Sequence, residues 1–142
     1  MSQDLDINAL MDALKNENNE NIMDNNHDTI RDMKIKMLNK LNIPIDKLNA
    51  LMKTLEHYKY IDELPELNFG AYIRWIPLKN PSEIKLTNGG FVCDVKIEDG
   101  INVVCRNKMN RFFQLKMGDC LIFQKLSDQE RVLLSAMDFL KS

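Results

Sequence analysis

Apolar side chains recur every three or four positions through the first half of the chain and every second position from Phe69 onward, so the period changes from helical to strand-like near the midpoint. The opening stretch MSQDLDINALMDALK places Ile7, Leu10, Met11 and Leu14 at the i, i+3, i+4, i+7 spacing of one helical face. A helix this short is marginal alone in water, so it needs a surface to dock on. Behind it, NENNENIMDNNHD has few apolar residues and no period, which predicts a flexible tether and hence docking on a partner rather than on the chain itself. A second stripe, Ile30, Met33, Met37 and Leu41, follows an N-cap expected at Asp28 or Thr29. Pro44 ends it. The third stripe is Ile45, Leu48, Met52 and Leu55, broadened by Leu51 and Tyr58, and the two together predict a helical hairpin that leaves through YIDELPELN.

Beyond Leu67 the alternation assigns Phe69, Ala71, Ile73 and Trp75 to one face of a strand and Tyr72, Arg74, Ile76 and Leu78 to the other; the unbroken apolar set containing Trp75 belongs in the core, which leaves Arg74 outside. Two turn signals follow, Asn88-Gly89-Gly90 and Glu98-Asp99-Gly100. A three-residue loop at the second pairs Ile97 with Ile101, Val95 with Val103 and Cys93 with Cys105, all inward, and turns Asp94, Lys96, Asn102 and Arg106 outward. A two-residue loop would oppose inward to outward residues. After a turn at NKMN, RFFQLK and CLIFQKL read as two further strands linked by Met117-Gly118-Asp119. The chain then closes with a helix whose capping box is Ser127 and Glu130 and whose buried stripe is Leu133, Leu134, Met137 and Leu140. The expected fold is α+β: a small antiparallel β-barrel of five or six strands, SH3-like or OB-like, with an N-terminal helical hairpin and a C-terminal helix. Its parts are an acidic helix and tether over 1–28, the hairpin over 29–66, and the barrel with its last helix over 67–142.

Charge adds a polarity to this layout. Residues 1–28 carry seven acids against Lys15, whereas residues 69–126 carry nine basic and five acidic side chains, so an acidic arm is joined to a mildly basic body. No apolar run nears the ~18 residues of a membrane span, and the acidic start lacks the pattern of a signal peptide. Three cysteines set in apolar strands suit reduced thiols, so an intracellular, cytoplasmic location is expected.

Catalytic chemistry has little support, and no enzyme is expected: His27 and His57 lie near no nucleophile motif, and no phosphate-binding glycine loop is present. The cysteines lack paired zinc-ligand spacing, so neither a metal nor a cofactor is expected. A binding module fits better. Small barrels hold single-stranded nucleic acid with a basic groove and aromatic platforms, and here the candidates are Tyr72, Arg74, Lys96, Arg106, Lys108, Arg111 and Phe112. The alternative is an assembly or scaffold component without nucleic-acid binding. Its contacts would be the N-terminal face of Ile7, Leu10, Met11 and Leu14, for a protein partner's groove, and the Met-rich hairpin, for a homo-oligomer.

The Asn- and Met-rich tail followed by YIRWIPL, LTNGG and CLIFQKL resembles small uncharacterised proteins of nucleocytoplasmic giant DNA viruses. The likeness covers roughly residues 69–140 in its motifs and the tail in composition. It carries no site residues. It implies an accessory protein of the cytoplasmic viral factory or the virion.

Overall fold

The computed structural model describes residues 7–22 and 25–141. In chain order the elements are α1 (Ile7–Lys15), α2 (His27–Asn39), α3 (Ile45–Thr54), β1 (Tyr58–Ile61), β2 (Tyr72–Pro77), β3 (Gly90–Ile97), β4 (Ile101–Arg106), β5 (Phe112–Lys116), β6 (Cys120–Lys125) and α4 (Asp128–Lys141). Contacts divide them into two compact units. One joins the two ends of the chain, up to Asp32 and from Leu126, and the other is Met33–Lys125, so the divisions fall inside α2 and before α4.

In the terminal unit α1 packs on α4, and Ala13, Ile22, Ile30, Leu126, Leu133 and Leu134 form its core. Within the expected tether, Glu17–Ile22 is a 3-10 turn, and residues 23–24 lie outside the described residues. The tether's asparagines serve as cross-links, because Asn19 donates to the Ala13 carbonyl at 2.9 Å, closing the C-terminal end of α1, and Asn16 donates to Gln129 of α4 at 2.7 Å. The arm docks on its own chain. Leu10 borders the core, but Ile7, Met11 and Leu14 are exposed, since the buried face of α1 is the one carrying Ala13. The box at the start of α4 forms as expected, with Glu130 N–H donating to Ser127 Oγ at 3.1 Å and Ser127 N–H to Glu130 Oε1 at 3.0 Å. Leu133 and Leu134 are buried, whereas Leu140 is 75% exposed. The N-cap of α2 is Asn26, not Asp28 or Thr29: Asn26 Oδ1 accepts from Thr29 N–H while Asn26 N–H donates to Thr29 Oγ1, both at 2.9 Å.

The second unit is a six-stranded antiparallel sheet in the order β1-β6-β2-β3-β4-β5. One face gathers Ile61, Ile73, Trp75, Val92, Val103, Cys105, Leu115 and Ile122 into a core drawn from all six strands. On the other face Ile76, Leu121 and Phe123 pack with Leu38 of α2, Leu51 of α3, Leu55 just after it, and Ile84 of the β2–β3 connection. The hairpin's apolar side is thus used on its own sheet, with Met37 and Met52 against this core and Met33 left exposed. Lys34 is buried beside them and donates to the Leu55 carbonyl at 2.7 Å and the Glu56 carbonyl at 3.3 Å, satisfying the end of α3. The α3 N-terminus is anchored too, since Lys47 reaches the Ile84 carbonyl.

The sheet is not closed into a barrel. Its edges are β1 and β5. Tyr58–Ile61, expected to finish a helix and exit it, is instead a strand: β1 takes one side of β6 and β2 the other, and β1 and β5 are not paired with each other. Four placements on β2 to β4 also differ from expectation. Phe69 is 69% exposed, because Gly70 at φ +83° turns the chain before β2 begins. The register through Ile97–Ile101 and Val95–Val103 is as expected, although Ile97, expected inward, is 75% exposed; a bulge at Cys93 then shifts it, so Val92 rather than Cys93 opposes Cys105 and Cys93 is exposed. Asn102, expected outward, is buried and donates to the Glu98 carbonyl at 2.8 Å.

Candidate functional site

The helices cover the β1-β6-β2 half of their face. From the start of β2 across β3, β4 and β5 a single row crosses the strands: Tyr72 lies opposite Phe91, Phe91 opposite Arg106, and Arg106 opposite Phe112. Paired residues of an antiparallel ladder project from one face with Cβ atoms about 4.5–5.5 Å apart, so two rings, a guanidinium and a third ring stand side by side. Tyr72 and Phe91 meet edge to face with centroids 5.0 Å apart. Phe112 is 66% exposed and Arg106 is exposed beside it.

The β4–β5 loop brings a further cation to each end of this row. Asn107 organises it: its Oδ1 accepts from the N–H groups of Met109 and Arg111, each at 2.9 Å, and its own N–H donates to the Arg111 carbonyl at 2.9 Å. The tight loop places the Lys108 ammonium 5.8 Å from the centre of the Tyr72 ring. Arg111 directly precedes Phe112 and is exposed. The row and loop thus combine three cations, Arg106, Lys108 and Arg111, with three rings on a preformed surface.

Two expected site residues do something else. Arg74 is half-buried, and its Nε donates to the Thr87 carbonyl at 2.8 Å. It therefore holds the β2–β3 connection, together with the Thr87 N–H bond to the Trp75 carbonyl at 2.9 Å and the Trp75 N–H bond to Thr87 Oγ1 at 3.2 Å. Tyr72 shares that duty, because its hydroxyl donates to the Asn88 carbonyl, while its ring remains in the row. Burial raises the pKa of Tyr58, opposed by the nearby Arg74 charge. Lys96 is exposed but stands apart, in a row with Asn102 and Lys116 near the other end of β3–β5, roughly 16 Å along the strand from Phe91.

Phe91 is the site residue that the sequence reading missed. An unbroken alternation back from Ile97 through Cys93 would carry it inward, and only the bulge turns it onto the row. The Gly89-Gly90 pair just before it is the available signal, since glycine at a strand start marks close backbone approach.

Among the described residues no group of three or more His, Cys, Asp or Glu side chains could hold a metal ion, and no helix is long and apolar enough to cross a membrane. No family model, curated protein or solved structure matches the chain.

Proposed function

We propose that the Tyr72–Phe91–Arg106–Phe112 row is a binding surface for single-stranded nucleic acid and that the protein is a non-enzymatic binding module. The in-register row carries the reading. Bases stack on aromatic side chains without regard to sequence, at roughly 1–3 kcal/mol each, and phosphates pair with cations set between and beside the rings. Phe112 and the Tyr72–Phe91 pair supply ring faces and edges, while Arg106, Lys108 and Arg111 supply charge. Lys96 and Lys116 extend the positive face for a longer strand. The compositional likeness to giant DNA virus proteins supports a role in a viral factory or virion.

Fluorescence anisotropy of a labelled oligothymidylate tests this reading. The substitutions Arg106→Ala and Phe112→Ala alter exposed side chains and should leave the unfolding midpoint within about 0.5 kcal/mol of wild type. Each should weaken binding by about tenfold. Wild-type affinity in the double variant would refute the reading.

A second, protein-docking role is supported by one observation: Ile7, Met11 and Leu14 are 70%, 48% and 46% exposed on α1 although they form its apolar stripe. Light scattering of wild type against an Ile7→Ser, Met11→Ser, Leu14→Ser triple variant tests it. Loss of an assembled species supports the role, and equal masses oppose self-assembly.

A further inference from the structure

At its β2 end the row meets a cleft of about 580 Å³, one wall of which is Tyr72, while Trp75 and Phe113 enter it from the opposite face of the sheet. Trp75, Phe113 and Met109 continue the apolar lining, and Asn88, Gln114 and Lys108 bring polar groups to it. The volume lies within the ~300–1,000 Å³ of small-molecule sites, and apolar walls with a few polar groups are their usual make-up. No carboxylate is among the lining residues described. This separates it from the larger cleft near Tyr60, which is lined by Asp62, Glu63, Asp99 and Asp119 and would repel an anion.

The walls are held by the backbone rather than by mobile side chains alone. Thr87, Asn88 and Gly89 are fixed to β2 by the Trp75, Arg74 and Tyr72 bonds described above. Across from them, Lys108 and Met109 belong to the loop organised by Asn107. Trp75 presents little of its surface, being 8% exposed, whereas Phe113 is 44% exposed and Met109 74% exposed. A ring entering the cleft would therefore bury apolar side chains that now face water, which favours entry.

We propose that this cleft receives one base of the bound strand, taken out of line from the bases stacked on the row. The inference rests on the nucleic-acid reading of the row and deepens it. Tyr72 and Lys108 border both, so a strand leaving the Tyr72 end of the row reaches the cleft by turning past the β4–β5 loop. Lys108, poised over the Tyr72 ring, is the cation that a phosphate flanking the inserted base would meet. The amides of Asn88 and Gln114 offer both donors and acceptors to a base edge, as extruded bases are elsewhere read between apolar walls.

The only tryptophan of the chain lines the cleft, which makes its emission a direct reporter. Full-length protein is titrated with oligothymidylate and with an abasic phosphodiester chain of equal length, following Trp75 emission and, separately, the anisotropy of labelled versions of both. The proposal expects a change in emission with oligothymidylate and none with the abasic chain. It also expects Phe113→Ala to weaken oligothymidylate binding about tenfold, the loss of one stacked base. Gln114→Ala, an exposed change that leaves the sheet core intact, should weaken it about threefold. Anisotropy binding with unchanged emission, and with both variants within twofold of wild type, would overturn the cleft while leaving the row standing. An equal emission change with the abasic chain would overturn base insertion. Absence of anisotropy binding would overturn the row and the cleft together.

Discussion

Gly89 is where the backbone geometry behind both the row and the cleft is least able to give, and replacing it with alanine should be the most damaging glycine substitution of the three at positive φ compared below. Its φ is +92°, a region costing an L-residue roughly 1–2 kcal/mol. A Cβ there would lie 2.3 Å from the Ile73 carbonyl oxygen and 2.9 Å from both Arg74 Cγ and Tyr72 Cε2. The side chains can rotate away, but the oxygen belongs to β2. Moving it disturbs the Ile73–Gly90 pairing and the Thr87–Trp75 bonds, each hydrogen bond being worth about 0.5–1.5 kcal/mol net. Gly89→Ala should therefore cost about 3–4 kcal/mol. Gly70 and Gly100 are the controls. They have φ of +83° and +107°, but nothing lies within 4 Å of a Cβ at either, so only the backbone term of about 1–2 kcal/mol applies. Urea unfolding followed by Trp75 fluorescence reads the sheet unit directly, and a lower midpoint at unchanged m reports the loss. A Gly89→Ala cost within 0.5 kcal/mol of Gly70→Ala would refute the claim that the 87–89 segment is locked onto β2.

Other outcomes follow from the same contacts. Gln124, fully buried, accepts from Asn68 N–H at 2.8 Å and donates to the Glu66 carbonyl at 3.2 Å, so Gln124→Leu should strand both backbone groups and cost about 2–3 kcal/mol in urea unfolding; a cost below 0.5 kcal/mol would show those groups to be satisfied otherwise. Burial pushes the Cys105 thiol from 9.0 up to about 12 and Cys120 up to about 11, so above pH 9 the unfolded chain loses protons that the folded chain keeps. Stability should then fall as pH rises from 9 toward 11, by up to about 1.4 kcal/mol per pH unit for Cys105 and by less for the partly exposed Cys120. Lys34, whose pKa burial lowers from 10.5, opposes this over its own window and does not offset two thiols; a stability that is flat from pH 8 to 10.5 would contradict the burial of Cys105. On the row itself, Phe112→Ala should reduce oligothymidylate affinity about tenfold at constant stability, whereas Phe69→Ala, at an equally exposed ring outside the row, should leave affinity within twofold.

The elements that follow a strong local period were legible in the sequence. The α4 capping box, the Trp75–Ile73 inward face and the Ile97–Ile101 turn all depend on neighbours a few residues away. What escaped depends on partners far along the chain. Tyr58–Ile61 is only four residues long and becomes a strand by pairing with β6, some sixty positions later. The bulge at Cys93 hides in a run where every second residue is still apolar, and it decides whether Phe91 faces the core or the row. The Asn-rich arm reads as a tether because composition records the lack of apolar residues and not the hydrogen bonds that the Asn16 and Asn19 amides donate to α4 and α1. Arg74 and Tyr72 stand on the face opposite Trp75, as the alternation predicts, but that face is partly covered by helices, and their bonds to Thr87 and Asn88 require a connection whose path no period describes.

The salt dependence of oligothymidylate binding tests the central claim most directly. With Arg106, Lys108 and Arg111 as the phosphate contacts, the plot of log Kobs against log salt for single strands should have a slope of about −2, from roughly −0.7 per neutralised phosphate. Arg106→Ala should make that slope shallower by about 0.7 while the unfolding midpoint stays fixed. Affinity that does not change with salt, or no binding at 50 mM salt, would contradict the account.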